Sequence, residues 1–519
     1  MSQQPGFFLV KKRNGISDRE SQDMAFYKCD KKQNGGSLKI GDVSNLAAEV
    51  QTEEDKVVLT WEDPDDLVIG GVVQAKWAGT IIVKKAFGEP TSIGDGTVIV
   101  NNTVKNQYSE NGFEDTDIID DVECYYKAFP YTTDGVTTDG SFVVAHINRT
   151  DVYGVEWDGT ASSAWTRTDA AAEFEDPNPY YSGKIGANYS PFDDIAPWSE
   201  ISTGTGSQVG AYVSIPRFYY RWSRNGKKLK LQISSKPLNG FFTSPAHANR
   251  GDGKGEIYIE PHGERQYVLV GKYLCSNKTY NSVSGDYPYS NVPIGTMRDN
   301  IHSLGNNIWL WDFATYWTIC MLYLVEYADW DVGKTIGVGG GSLSQARTGQ
   351  TNSITQFYHT GTTATSRSEA GYVCYRYIED LWSNYYSFCD GIYFKNEEMY
   401  CTKDPAYFGD YDVGTLVGTR IAGQAPFTVS LCISEWSNPS VEGFEYALFP
   451  SSGVEDNTFS SYVCDEVNGG YEALNVLYLG SMGNTGGVVR PRDGLFHLDS
   501  HYNTSDKYVS VGARLMELY

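Results

Sequence analysis

Residues 308–327 read IWLWDFATYWTICMLYLVEY, an apolar stretch in which helical spacing holds from end to end. Phe313, Trp317, Cys320, Leu324 and Tyr327 recur at three- and four-residue intervals along one face. Ile319, Leu322 and Val325 make the other side apolar too, which predicts a helix over 308–327 buried on most sides. Asp312, Thr315 and Thr318 break the apolar run, so the segment reads as a core helix and not as a membrane span. Outward from it, residues 149–519 are dominated by Gly, Ser, Thr, Asn and Tyr, with short strands and long loops; a second short helix is expected near Ser366–Glu369. Loops this long need a rigid scaffold, and loops on rigid scaffolds usually carry binding.

The N-terminal side reads differently. Residues 1–40 are polar and irregular, and are read as an attachment arm or a disordered leader. Residues 41–148 carry β-rich runs separated by turn residues: 57–61, 79–84, 97–100 and 123–131, with a turn at Asp63–Pro64–Asp65–Asp66. This order resembles a fibronectin type III domain, an Ig-like β-sandwich, with Trp61 as the core tryptophan of the second strand and Tyr125 or Tyr126 as the core tyrosine of the sixth. The fold class expected for the whole chain is mainly β with some α: this sandwich, then a large α+β unit over 149–519.

Bulk properties exclude several classes. With 40% hydrophobic and 20% charged residues the 519-residue chain is globular. A formal net charge of −24 disfavours nucleic acid and anionic membranes as partners. The nine cysteines are odd in number and include no Cys-x-x-Cys or close Cys/His pairing, which argues against zinc and against a secreted disulfide framework. MSQQPGFFLVKKRNG contains no signal peptide, so synthesis in a reducing cytoplasm is expected, and a surface-acting product would leave by lysis or inside an assembled particle. The 38 tyrosines suit a binding surface or simply β-strands.

Residues 149–519 carry an ordered set of signals. Tyr153–Gly159 and Ala164–Asp169 open it, and Ile215–Tyr220 and Val270–Tyr273 follow. Trp311–Phe313 leads to Leu324–Tyr327, then come Gly337 and Gly339–Gly341, then Tyr377–Asn384 (YIEDLWSN). Gly494–Phe496 and Val511–Leu515 (VGARL) close the series. The set resembles the C-type-lectin-like domain of phage tail proteins, which shares its fold with formylglycine-generating enzymes and with the variable proteins of diversity-generating retroelements; Ser383 replaces the family's usual Gly. In the retroelement members the stretch before and across "GLF" displays the diversified binding residues. Carried over by position, the ligand-binding candidates are Val488, Val489, Arg490, Arg492, His497, Ser500, His501 and Tyr502, with 481–487 as the positioning loop. The chain departs from the family in a longer 480–493 stretch that carries Pro491. Val509, Val511 and Leu515 are expected on one face of a last strand closing against Leu495.

Catalytic readings fare worse. Val332–Gly333–Lys334–Thr335 ends like a phosphate loop, but Ala328 stands where the first glycine is required. The glycine runs lack a βαβ setting, and there is no Gly-x-Ser-x-Gly or His-Glu-x-x-His. His497 and His501 are four apart but on strand and loop, where they need not converge on a metal. Cys432 and Cys464 are isolated in sequence, without the reactive arrangement a formylglycine-generating enzyme needs. Asp329, Asp331, Glu379 and Asp380 are carboxylates that could contribute to a calcium site, although the phage-type relatives generally manage without one.

The resemblance therefore implies a non-enzymatic receptor-binding protein of a phage tail tip or fibre. It would act in the virion, as a homotrimer, against a host-surface glycan or protein and beside other tail proteins, with no cofactor, no metal and no membrane insertion. The alternatives are a tail-associated enzyme, either a glycan depolymerase or an oxidase of the formylglycine-generating type, and a structural baseplate component without receptor contact.

Overall fold

A computed structural model describes residues 38–518 apart from 52–55, 119–121, 147–150, 185–187, 249–264, 340–344, 356, 396–397, 411–413, 420–430, 438–440, 455–462, 470–474, 481–493 and 501–502. Strands make up 41% and helices 9%, so the protein is mainly β. The chain divides into two compact units, 1–150 and 151–519.

The N-terminal unit contains β1 (Ser44–Gln51), β2 (Lys56–Glu62), β3 (Leu67–Ile69), β4 (Val72–Ala75), β5 (Trp77–Ala86), β6 (Thr97–Asn102), β7 (Phe113–Asp115), β8 (Cys124–Thr132) and β9 (Ser141–Ala145). They form an antiparallel sheet β1-β2-β7, a second antiparallel sheet β6-β5-β8-β9, and a separate ribbon β3-β4. Strand alternation sends Val57, Leu59 and Trp61 of β2 inward, where they share one core with Ile82, Tyr126 and Ala128 from the other sheet. Tyr126, not Tyr125, is the buried tyrosine, and its hydroxyl donates to Asp115 at 2.7 Å. Asp63 is buried as well; its carboxylate accepts from Trp61 Nε1 (3.0 Å), Thr80 Oγ1 (2.6 Å), Asn102 Nδ2 (3.1 Å) and the Asn106 N–H (2.7 Å).

In the C-terminal unit, helix α1 spans Ile294–His302 and α2 spans Phe313–Tyr327. All fifteen residues of α2 are buried, as the all-round apolar pattern requires. The helix starts five residues later than expected. Asp312 caps it by accepting from the Thr315 N–H at 2.9 Å, while 308–310 forms a strand against 515–518. The helix expected near Ser366–Glu369 is a turn, closed by the Glu369 N–H on the Ser366 carbonyl at 3.3 Å. α2 lies against strands 386–395, 228–234 and 152–157.

Three sheets surround it. One runs 165–169, 152–157, 228–234, 219–225, 242–243. A second runs 202–206, 210–216, 267–271, 515–518, 308–310. The largest runs 415–419, 398–401, 386–395, 475–479, 498–500, 463–469, 431–436, 450–454, with 511–512 beside 386–395. A small sheet of 361–362, 373–375 and 378–379 stands apart. The chain's ending thus serves two sheets instead of forming one strand, and Val509 is 56% exposed instead of facing Leu495. Among the described residues no helix is long and apolar enough to cross a membrane.

Candidate functional site

The sequence signatures of the C-terminal unit converge on Arg514. Its side chain is buried and donates to the backbone carbonyls of Gly271 (2.6 Å), Lys272 (3.2 Å), Glu379 and Asp380 (3.4 Å). Its own carbonyl accepts from the Trp311 N–H at 2.9 Å, and its guanidinium lies 5.6 Å from the Trp311 ring centre. Three segments far apart in the chain, 271–272, 311 and 379–380, therefore meet at one side chain. Burial depresses its pKa to about 10, and the nearby Asp380 opposes this.

The two acids of the YIEDLWSN segment are part of that scaffold. Glu379 accepts from the Gly349 N–H (2.6 Å), the Thr351 N–H (2.8 Å) and Thr351 Oγ1 (2.7 Å). Asp380 accepts from Ser383 Oγ and from Asn384 Nδ2 at 3.0 Å. Burial raises the pKa of both. Asp329 and Asp331 lie elsewhere, in the turn after α2: Asp331 caps the single helical turn Val332–Thr335, and Asp329 pairs with Lys334 at 3.5 Å. The four carboxylates singled out for calcium are thus in two separate places. The phosphate-loop-like ending is that one helical turn. No group of three or more possible metal ligands occurs among the described residues.

A second buried network was not foreseen. Glu326 on α2 receives a bidentate pair from Arg376, Nε to Oε2 and Nη2 to Oε1, both at 2.8 Å. Tyr375 Oη donates to Oε2 at 2.9 Å, and Arg376 Nη2 reaches Asp193 at 3.1 Å. Burial works against the charge on Arg376, but Glu326 outweighs it and the pKa is raised. Burial raises that of Asp193, with Arg376 opposing. Arg376 (φ +40°) and the following Tyr377 (φ +72°) are both left-handed, a backbone cost that the surrounding bonds must hold in place. One signal was available: Glu326 is the only charged residue in a helix apolar all round, so it needed a buried cation.

Of the eight ligand-binding candidates, Val488, Val489, Arg490, Arg492, His501 and Tyr502 lie outside the described residues. His497 and Ser500 are described, and both are buried, at 2% and 0% exposure. Neither offers its side chain to a surface ligand in this conformation. The cause is the "GLF" segment, whose residues are core anchors. Phe496 packs against Trp330 (4.8 Å between ring centres), Trp317 and Trp436, and the Leu495 carbonyl accepts from Tyr316 Oη at 3.0 Å. His497 lies against Tyr386 at 5.6 Å, and neither of its ring nitrogens has a hydrogen-bond partner among the described residues.

The flanks of 481–493 meet at one point. The Gly480 N–H donates to the His497 carbonyl at 3.3 Å, and the His497 N–H donates to the Gly494 carbonyl at 3.3 Å. Gly480 has φ +72°, and a Cβ there would stand 2.4 Å from the Leu381 carbonyl oxygen, so only glycine fits. At the other end of strand 498–500, Asn503 bridges to Asn475, and its own N–H donates to Asp506 at 2.9 Å.

Six described cysteines, at 124, 275, 320, 374, 389 and 401, are free and buried. Burial pushes Cys275 up to about 12 and raises Cys374, Cys389 and Cys401 too, which is opposite to an activated thiol. The fold brings Cys432 and Cys464, far apart in sequence, onto neighbouring strands: Cys432 pairs with Glu466 and Ile433 with Val463. No model of a known protein family matches the chain, and no curated protein matches it in sequence.

Proposed function

We propose that this chain is a phage tail receptor-binding protein, a non-enzymatic adhesin acting in the virion, whose C-terminal unit is C-type-lectin-like and presents 481–493 and 501–502 to a host-surface glycan or protein. The observation that carries the reading is the clamp between Gly480, Gly494 and His497, which fixes both ends of a polar stretch to a core of aromatic rings. A loop whose ends are fixed can vary in sequence without disturbing the fold, which a recognition surface needs. The N-terminal unit is read as a fibronectin type III-like spacer; seven strands in a three-stranded and a four-stranded sheet, with Trp61 and Tyr126 in the shared core, support this. Assembly as a homotrimer beside other tail proteins would multiply weak single-site affinities.

Adsorption of the purified chain to candidate host cells tests it. An Arg490→Ala, Arg492→Ala, His501→Ala, Tyr502→Ala variant should fold normally and lose binding. Retained binding by this variant would move the receptor site elsewhere, and binding by neither form would favour a structural tail component. Saccharide turnover that disappears in Cys432→Ser would favour the enzyme alternative.

A further inference from the structure

A cleft outside the loop region has the makings of a small-ligand site. Strands 219–225 and 228–234 form a hairpin that turns at Gly226 (φ +61°), beside the end of strand 431–436. Arg224 Nη2 donates to the carbonyls of Trp436 (2.9 Å) and Ser437 (3.0 Å), and Lys227 Nζ pairs with Glu435 at 2.9 Å. A cleft of about 230 Å³ lies among Trp157, Arg224, Lys227, Leu229, Glu435 and Trp436. This is smaller than the roughly 300–1,000 Å³ of sites that enclose drug-sized molecules, and suits a single six-membered ring.

Its chemistry is mixed in an informative way. Trp157, Leu229 and Trp436 are buried and make an apolar floor. The Trp436 Nε1–H is buried and has no hydrogen-bond partner among the described residues. An indole N–H left so is costly unless something bonds it. Arg224 is exposed; Nη2 is engaged, but no bond from its Nε–H or Nη1 hydrogens is seen among the described residues. Lys227 and Glu435 neutralise each other, so the cleft keeps one positive charge in a chain of net charge −24.

We propose that this cleft binds a carboxylated pyranose, a uronic-acid unit of a surface polysaccharide. The C–H face of the ring rests on the apolar floor, and its carboxylate takes charge-assisted hydrogen bonds from Arg224. The ring hydroxyls meet Glu435. The source of such a ligand rests on the host-surface reading above, whereas none of the residues lining the cleft belongs to 481–502.

Ligand-observed NMR on the full chain tests this with three probes: a glucuronic-acid oligosaccharide, the matched glucose oligosaccharide and acetate. The uronate should bind at least tenfold more tightly than either of the others. Arg224→Gln should weaken it tenfold or more. Because Arg224 also tethers 436–437, Lys227→Glu is the companion variant: it leaves the tether and reverses charge at the cleft, and should abolish uronate binding with the circular dichroism unchanged. No uronate binding by the wild-type chain, binding no tighter than acetate or the neutral sugar, or binding unaffected by both substitutions would overturn the proposal. If uronate binding fails while cells are still adsorbed through 481–502, the cleft alone is lost; if uronate binds while the quadruple loop variant adsorbs normally, the loop reading is lost and the cleft stands.

Discussion

Replacing Arg376 by Met would leave Glu326 buried on α2 without its bidentate partner, at 1% exposure. Breaking a buried ion pair from one side costs about 3–5 kcal/mol. Tyr375 Oη keeps its bond to Glu326, which holds the loss toward the lower part of that range. The variant should therefore be destabilised by about 3–4 kcal/mol. Guanidinium unfolding followed by tryptophan fluorescence reads this directly, since ten of the twelve tryptophans lie in 151–519. A deficit below about 1 kcal/mol would refute the account of Glu326 and Arg376 as a buried pair that holds α2 in place.

In the N-terminal unit, Asp63→Ala removes the common acceptor of Trp61, Thr80, Asn102 and Asn106, and should cost about 3–4 kcal/mol; hydrogen exchange in β2 and β5 should rise accordingly. His359, pushed down to about 4 by burial and by Lys272, has a folded pKa below its unfolded value of about 6.5. The unfolded chain therefore binds the extra proton between those values, and stability falls as pH drops from 6.5 through 4, by up to about 3 kcal/mol. His359→Gln should remove that component, and identical pH–Tm curves for the two proteins would count against it. A thiol reagent should label no more than three of the nine cysteines in the native chain, since six are buried. Rapid labelling of a fourth would contradict the packing.

Legibility from sequence followed the range of the interactions. The strands of the N-terminal unit announce themselves because alternation is local: Val57, Leu59 and Trp61 face the core with polar or half-buried neighbours between them. The long helix is legible for the same reason, although its start was not; Ile308–Leu310 is as apolar as the helix, and only a strand partner some 200 residues away diverts it. The Arg376 network escaped because Glu326 is 50 and Asp193 183 residues distant. Position within the resembling stretch marks His497 and Ser500 as displayed; the ring cluster around Phe496 draws their backbone inward instead. Arg514 reverses the lesson: it was noticed as part of a pattern, and the structure supplies its physical reason in four backbone carbonyls.

The placement of strand 515–518 bears on how the protein is made. It sits inside its sheet, between 267–271 and 308–310, and the Arg514 contact that precedes it spans 243 residues. During synthesis the ribosome must deliver residues 511–518 before those partners can close around them. Until then α2 and its aromatic neighbours are exposed on an incomplete sheet with unpaired edges, a condition that invites aggregation. Closing so long a loop is also slow. The C-terminal unit should accordingly fold late and in one step. Truncations removing 511–518 should yield insoluble chains instead of shortened soluble ones, and chaperone demand should fall once 511–518 has been delivered.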